Sequence, residues 1–175
     1  MLACPYRMMM RYKRWATNGL NETFTDNLAR CSEDDRHVIL RVLDHIQAVD
    51  EIFSHNLEAR HHGYSAPRSA ELPSFEVLKR KAAAIGDWYV DYADGLMPEK
   101  RDEVVDFVFS NGTHASMTRG EMLLHVAMHG TYHRGNIGIV LQKNGIAPPP
   151  DRMTDFLAAQ GANSDCLIPL AEAAV

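Results

Sequence analysis

Cysteine is scarce in this chain and poorly placed for cross-linking. Cys4, Cys31 and Cys166 are odd in number, far apart and without a CxxC pair, which argues against a disulfide framework or a zinc ribbon. All three read as free thiols. No apolar run approaches the roughly 18 residues needed to cross a bilayer, so no membrane span is expected. Met1–Arg7 carries no apolar core ahead of a small-residue cleavage site, so export is not expected and the reading is cytoplasmic. Basic charge is not in excess: 18 Lys and Arg stand against 23 Asp and Glu, a net charge of −5 with both signs mixed along the chain. Without an extended basic face to neutralise phosphates, nucleic acid is not an expected partner. Internal repeats, low-complexity tracts and Gly/Ser linkers are also missing, and 175 residues suit a single domain, 1–175, that can bury a core without staples.

What is present reads as helices punctuated by Pro and Gly. The first candidate helix covers about Arg7 to Leu28, with Trp15, Leu20, Phe24 and Leu28 near one side, as expected of an outer member of a bundle. Ser32 followed by Glu33, Asp34 and Asp35 marks a second helix start, since the serine oxygen can accept from free amides and the acids suit the first-turn dipole. Val38, Val42, Val49 and Ile52 form its apolar stripe, with His45 inside it. A loop from Arg60 to Pro67 leads to a third helix at about Ser74–Gly95. The Val/Phe-rich segment Asp102–Phe109 and the following Asn111-Gly112 predict a hairpin with a type I′ turn. Thr118 and Glu121 fit a capping box that opens a fourth helix. That helix should end near Asn144, where Gly145 can take a left-handed cap and Pro148-Pro149-Pro150 blocks continuation. A short helix at about Asp151–Gln160 follows, with a loosely held Ala-rich tail.

Nine histidines require an explanation. His125, His129 and His133 recur every fourth residue, so their imidazoles share one stripe, on the side that carries Met122, Val126, Ile137 and Val140. Adjacent members can share a metal ion, but the outer pair are about 12 Å apart along the axis, too far for one ion to take all three comfortably. At this histidine content random placement gives about half of one HxxxH pair per chain but a consecutive triple in only about 2% of chains, so the triple is informative where a pair would not be. Two readings stand: a metal site that also draws on His45, and hydrogen-bonded core histidines. His37, His55, His61, His62 and His114 read as surface residues.

Leu43-Asp44-His45-Ile46-Gln47-Ala48-Val49-Asp50, the string His129-Gly130-Thr131-Tyr132-His133-Arg134-Gly135-Asn136-Ile137 and the Asn144-Gly145 to Pro150 exit resemble the DinB/YfiT-like family over nearly the whole chain, including the early aromatic helix around Tyr12 and Trp15. The resemblance implies an all-α fold, an up-down-down-up four-helix bundle with a short β-hairpin inserted before the last long helix. It also implies one divalent metal ion per chain, zinc or nickel, on His45, His129 and His133. His125 then becomes a residue behind the ligands or a core histidine. Two positions depart from the family motif: Asn136 stands where Gln is common, and Gly130 where a larger polar residue is frequent, the glycine costing up to ~1 kcal/mol in helix stability. Arg134 reads as a structural salt bridge ahead of an anchor for a substrate anion. Asp50 reads equally as a surface charge or as part of an internal polar network, and Tyr132 as core packing ahead of a proton donor.

Three neutral imidazoles leave an open position on zinc or nickel, coordination of the catalytic type. Relatives of this kind include thiol-dependent S-transferases and a thiol-dependent isomerase. The resemblance therefore implies a metal-dependent transferase or isomerase that activates a low-molecular-weight thiol against an electrophilic small molecule. A metal-dependent hydrolase ranks lower because no general base such as the glutamate of an HExxH helix is visible. A non-enzymatic, stress-related metal-binding bundle is the third reading. A homodimer is also implied, with no face identified for it.

Overall fold

Proline at the start of helix α1 (Pro5–Asn27) pre-sets the backbone angle of a first helical turn, whose amides have no intrahelical partner in any case. The structure, a computed structural model, describes residues 4–162; the Ala-rich tail and Cys166 lie outside them. Helix α2 (Glu33–Leu57) begins as its sequence predicts, with the Ser32 side chain accepting from the Asp35 amide at 3.2 Å. Helix α3 (Phe75–Gly95), strands β1 (Val104–Val108) and β2 (His114–Thr118), helix α4 (Arg119–Lys143) and the short α5 (Met153–Ala162) follow. Both halves of the α4 capping box form: the Glu121 amide donates to Thr118 Oγ1 at 3.1 Å and the Thr118 amide to Glu121 Oε2 at 2.7 Å. Gly145 closes the helix at φ +67°, a conformation that favours glycine.

Cross-helix pairs give the directions of the four long helices. Arg14 meets Asp87 at 2.8 Å and Lys79 meets Thr25 at 3.0 Å, so α3 runs antiparallel to α1. Lys143 meets Asp35 and Arg119 meets the Leu57 carbonyl, so α4 runs antiparallel to α2. Tyr6 abuts Gly120 and Arg134 reaches Thr17, so α4 is parallel to α1. The order is up-down-down-up, with α1 and α2 on one diagonal and α3 and α4 on the other. The antiparallel hairpin pairs Val104 with Thr118 through Val108 with His114 and leads directly into α4.

Two apolar layers stack along the bundle. One gathers Met10, Val49, Phe53, Tyr89, Met122 and Val126; the other gathers Phe24, Ile39, Leu43, Phe75, Ile137 and Leu141. Lys13, Asn21, Gln47, Asp50 and Arg134, all buried, lie at the level between them and line a cavity of about 20 Å³, the size of a single water. Lys13 and Asp50 form an ion pair across the α1–α2 diagonal, and Tyr89 donates to the Asp50 carbonyl at 2.8 Å.

Several expectations are corrected. The inward stripe of α2 is Ile39, Leu43, Ile46, Val49, Ile52 and Phe53; Val38 is 46% exposed, because it sits one residue, about 100° of helix rotation, off Ile39 at the head of that stripe. Helix α1 is a full bundle member, packed on both α3 and α4. The hairpin turn is not type I′, since Gly112 takes a positive φ of 85° and Asn111 does not. A turn from Phe109 to Gly112, closed at 2.8 Å, lies inside the outer Phe109–Thr113 bond, and Asn111 Oδ1 accepts from the Thr113 amide. Tyr132 is 68% exposed rather than in the core.

Candidate metal centre

The bundle's antiparallel α2–α4 seam brings His45 opposite His129 and His133. Their ring centroids are 4.8 Å apart for His45–His129, 4.6 Å for His45–His133 and 4.4 Å for His129–His133. One nitrogen from each lies within 4.8 Å of the others. Tetrahedral coordination at a metal–nitrogen distance of about 2.1 Å sets nitrogens about 3.4 Å apart, so small side-chain rotations would close the set around one ion.

His45 is oriented by the loop after α2. Its Nδ1 lies 2.7 Å from the Pro67 carbonyl, which can only accept, so Nδ1 carries the proton and Nε2 presents its lone pair. His45 Nε2 and His129 Nε2 are 3.0 Å apart. At that distance a proton on one nitrogen makes a hydrogen bond between them, and a cation can bridge the two when both present lone pairs. His129 Nδ1 is buried without a partner. Burial, then the neighbouring His133, His45, His125 and Lys13 charges, hold His129 down to about 3. Burial, then His45, lowers His133. Both imidazoles are thus kept as neutral lone-pair donors, the form a metal needs. Among the described residues, no fourth histidine, cysteine or carboxylate joins the group, leaving room on a tetrahedral ion for an outside ligand. The cluster is capable of coordinating one divalent ion.

The DinB family profile matches residues 8–166. The chain belongs to the DinB family. No curated protein and no solved structure gives a match.

Other residues singled out from the sequence of this DinB-family chain fall into place around the cluster. His125 stays outside it, stacked on Phe53 at 4.5 Å and 21° and lying 5.8 Å from the His129 ring; burial lowers its basicity. Arg134 is structural: it grips Asp151 with Nε at 2.8 Å and Nη2 at 3.0 Å, while Tyr12 donates to the same carboxylate at 2.6 Å. This fork ties the segment after α4 back onto α1 and α4. Asp50 belongs to the internal polar layer, its carboxyl raised because burial outweighs the opposing Lys13 charge. None of His37, His55, His61, His62 and His114 joins the metal cluster; His55 and His62 are half-buried rather than surface residues.

Sequence reasoning missed Lys13, although the signal is readable. Met10, Lys13, Ala16, Leu20 and Phe24 share the inward side of α1, and a lysine in such a stripe needs a partner. Gly130 is explained by the same residue: a Cβ there would meet Lys13 Cε at 3.4 Å and Arg134 Nη1 at 3.1 Å. The missing side chain leaves the lane along which Lys13 crosses α4. Pro67 carries no sequence signal for its role, because it acts through a backbone carbonyl.

Proposed function

We propose that this DinB-family protein holds one zinc or nickel ion on His45, His129 and His133 and acts as a transferase or isomerase that activates a low-molecular-weight thiol toward an electrophile. The observation that carries the reading is the convergence of three imidazoles, two of them held neutral, with no fourth side chain completing the set. The ion, when bound, supplies the positive charge that lowers the pKa of a thiol or water. The chain supplies the rest. Pro67 fixes the tautomer of His45, burial keeps His129 and His133 from protonating, and the polar layer behind them ties α1, α2 and α4 together. Hydrolysis is the weaker alternative: no carboxylate joins the cluster among the described residues, and Asp50, the buried acid of the nearby polar layer, is paired with Lys13. Free Cys4 and Cys31 suit a reducing compartment such as the cytoplasm, where thiol cosubstrates stay reduced.

Elemental analysis of protein purified without a His-tag, beside a His129→Ala variant, tests the site: about one ion per chain, lost in the variant, is expected. Thiol titration of the cobalt-substituted protein tests the chemistry through the thiolate charge-transfer band. Folded protein that takes up no zinc, nickel or cobalt refutes the site. A loaded protein that shows no thiol band favours a non-enzymatic metal-binding bundle.

We further propose a homodimer through the outer face of α4. Leu124, Met128, Tyr132 and Ile139 are exposed by 37%, 68%, 68% and 66% and fall on one stripe. The helix is therefore apolar on both its inner and outer sides, a pattern expected of a helix covered all round. The exposed stripe carries no charge between Glu121 and Lys143. Antiparallel pairing about a two-fold axis near Tyr132 would place Glu121 of one copy near Lys143 of the other. Light scattering should give a dimer for the wild type and a monomer for Met128→Glu/Ile139→Glu; a monomeric wild type at assay concentrations refutes the interface.

A further inference from the structure

A cavity of about 260 Å³ opens beside the histidine cluster, between the α2–α4 seam and the hairpin tip. His129 is part of its wall, and so is Pro67, the residue whose carbonyl orients His45. The remaining wall is built mainly from Val49, Ile52 and Phe53 of α2, His125 of α4 and Phe109 of the hairpin. No Asp, Glu, Lys or Arg lines it. A ligand group that entered with a formal charge would lose its hydration and find no side chain of opposite charge in return. An apolar group would gain by burial.

The walls also have a shape. Phe53 and His125 stack with their planes 21° apart, making one side of the cavity a rigid aromatic pair. Phe107 packs edge-on against both Phe53 and Phe109, at 5.7 and 5.1 Å, and so braces Phe109 at the cavity although that ring is 39% exposed. The volume lies just below the usual range for small-molecule pockets, suiting one substituted ring rather than a fused or branched body.

We propose that this cavity receives a flat, uncharged aryl group of the electrophile, with Phe109 and Ser110 at the hairpin tip setting its size. The assignment rests on the thiol-transfer reading for its chemistry and on the cavity for its specificity. The reacting atom would lie at the His129 end, and the ring between Phe53, His125 and Phe109. On this view the hairpin between α3 and α4 is a specificity element.

The test is calorimetric titration of the metal-loaded full chain with two unreactive probes on the same ring: 4-nitrobenzyl alcohol, which is neutral, and 4-nitrobenzenesulfonate, which is anionic and a poor metal ligand. The neutral probe should bind at one site per chain, and the sulfonate at least about tenfold more weakly. Phe109→Ser, at an exposed tip position, should weaken the neutral probe by about tenfold, and Ser110→Trp should block it by filling the mouth. Leu157→Ser, an exposed position on α5 outside the wall, should leave binding of the neutral probe unchanged. Absence of saturable binding, equal affinity for the sulfonate, or indifference to both hairpin variants would overturn the proposal. Neither probe carries a thiol or a reacting bond, so the two readings fail separately. Probe binding without a thiol band in the cobalt protein sinks thiol transfer and keeps an aryl site, whereas a thiol band without probe binding sinks the aryl site alone.

Discussion

Replacing Lys13 by methionine should cost far more than the loss of an ordinary surface charge. Lys13 and Asp50 are 3% and 2% exposed, and Asp50 Oδ1 already lacks a protein partner. Lys13→Met removes the cation that compensates the carboxylate and leaves a buried charge, which is expected to destabilise the fold by about 3–5 kcal/mol. The carboxyl can escape by protonating, and this sets the pH dependence. Asp50 is already raised above 3.8 by burial, and without Lys13 it rises further. A group with a raised folded-state pKa contributes stability that is fully present below its unfolded pKa and is lost as pH rises through the folded value. The deficit of Lys13→Met should therefore be small near pH 4 and grow toward neutrality. The double variant Lys13→Met/Asp50→Leu removes both charges and should recover most of the loss at pH 7, giving a coupling of about 2 kcal/mol or more. Urea denaturation of the wild type, Lys13→Met, Asp50→Leu and the double variant at pH 4 and pH 7 measures these quantities. A single-variant cost below about 1 kcal/mol at pH 7, or a double variant as unstable as Lys13→Met, would refute the view that the pair is a buried, mutually dependent unit.

Two further outcomes concern other contacts. Gly120→Ala would place a Cβ 2.6 Å from Tyr6 Oη and 2.8 Å from its Cζ, so the ring must move and the fold should lose about 1–3 kcal/mol in thermal or urea unfolding, despite the better helix propensity of alanine. Glu103 is held at about 2 by hydrogen bonds from Lys100 and Arg119; its contribution is present above the ordinary carboxylate pKa of 4.5 and is lost as pH falls toward about 2. Glu103→Gln should therefore flatten that part of the acid-stability profile, with the two proteins converging at the acid end.

The readable parts of the fold and site were those in which one residue type has one physical use. Ser32, Thr118, Glu121 and Gly145 act through local backbone geometry, and α2 and α4 begin, and α4 ends, where they indicate. The histidine register is equally local: His129 and His133 fall on one side of α4 at any packing angle. Spacing alone does not separate them from His125; the family resemblance does, and the bundle gives the physical reason, because the antiparallel seam sets His45 opposite 129 and 133 and places Phe53 opposite 125. Val38 and Tyr132 show where periodicity fails. An apolar residue one step off the stripe looks much like one on it, and α4 is apolar on both sides, so no moment distinguishes its inner from its outer side. Pro67 and the hairpin tip reach the site through a loop and a turn, and side-chain pattern carries no information about either approach.

Metal removal provides a test in which stability and site chemistry must agree. The structure keeps His129 and His133 as neutral donors at the expense of their basicity, and it leaves His129 Nδ1 buried and unpaired. An ion that binds only the folded chain stabilises it by mass action, about 4 kcal/mol at a thousandfold excess over Kd. For a chain of this size that corresponds to roughly 8–16 °C in Tm. Chelation should lower the Tm of the loaded wild type by that order and leave His133→Ala, which lacks a ligand, nearly unchanged. Protons compete with the ion only where they can reach the imidazoles. With His129 held at about 3 and His133 also lowered, metal-linked stabilisation should persist below the ordinary histidine pKa of about 6.5 and fade as pH falls further. An equal chelator effect in His133→Ala would mean that the ion is held by imidazoles elsewhere on the chain, and the three-histidine centre would then be wrong.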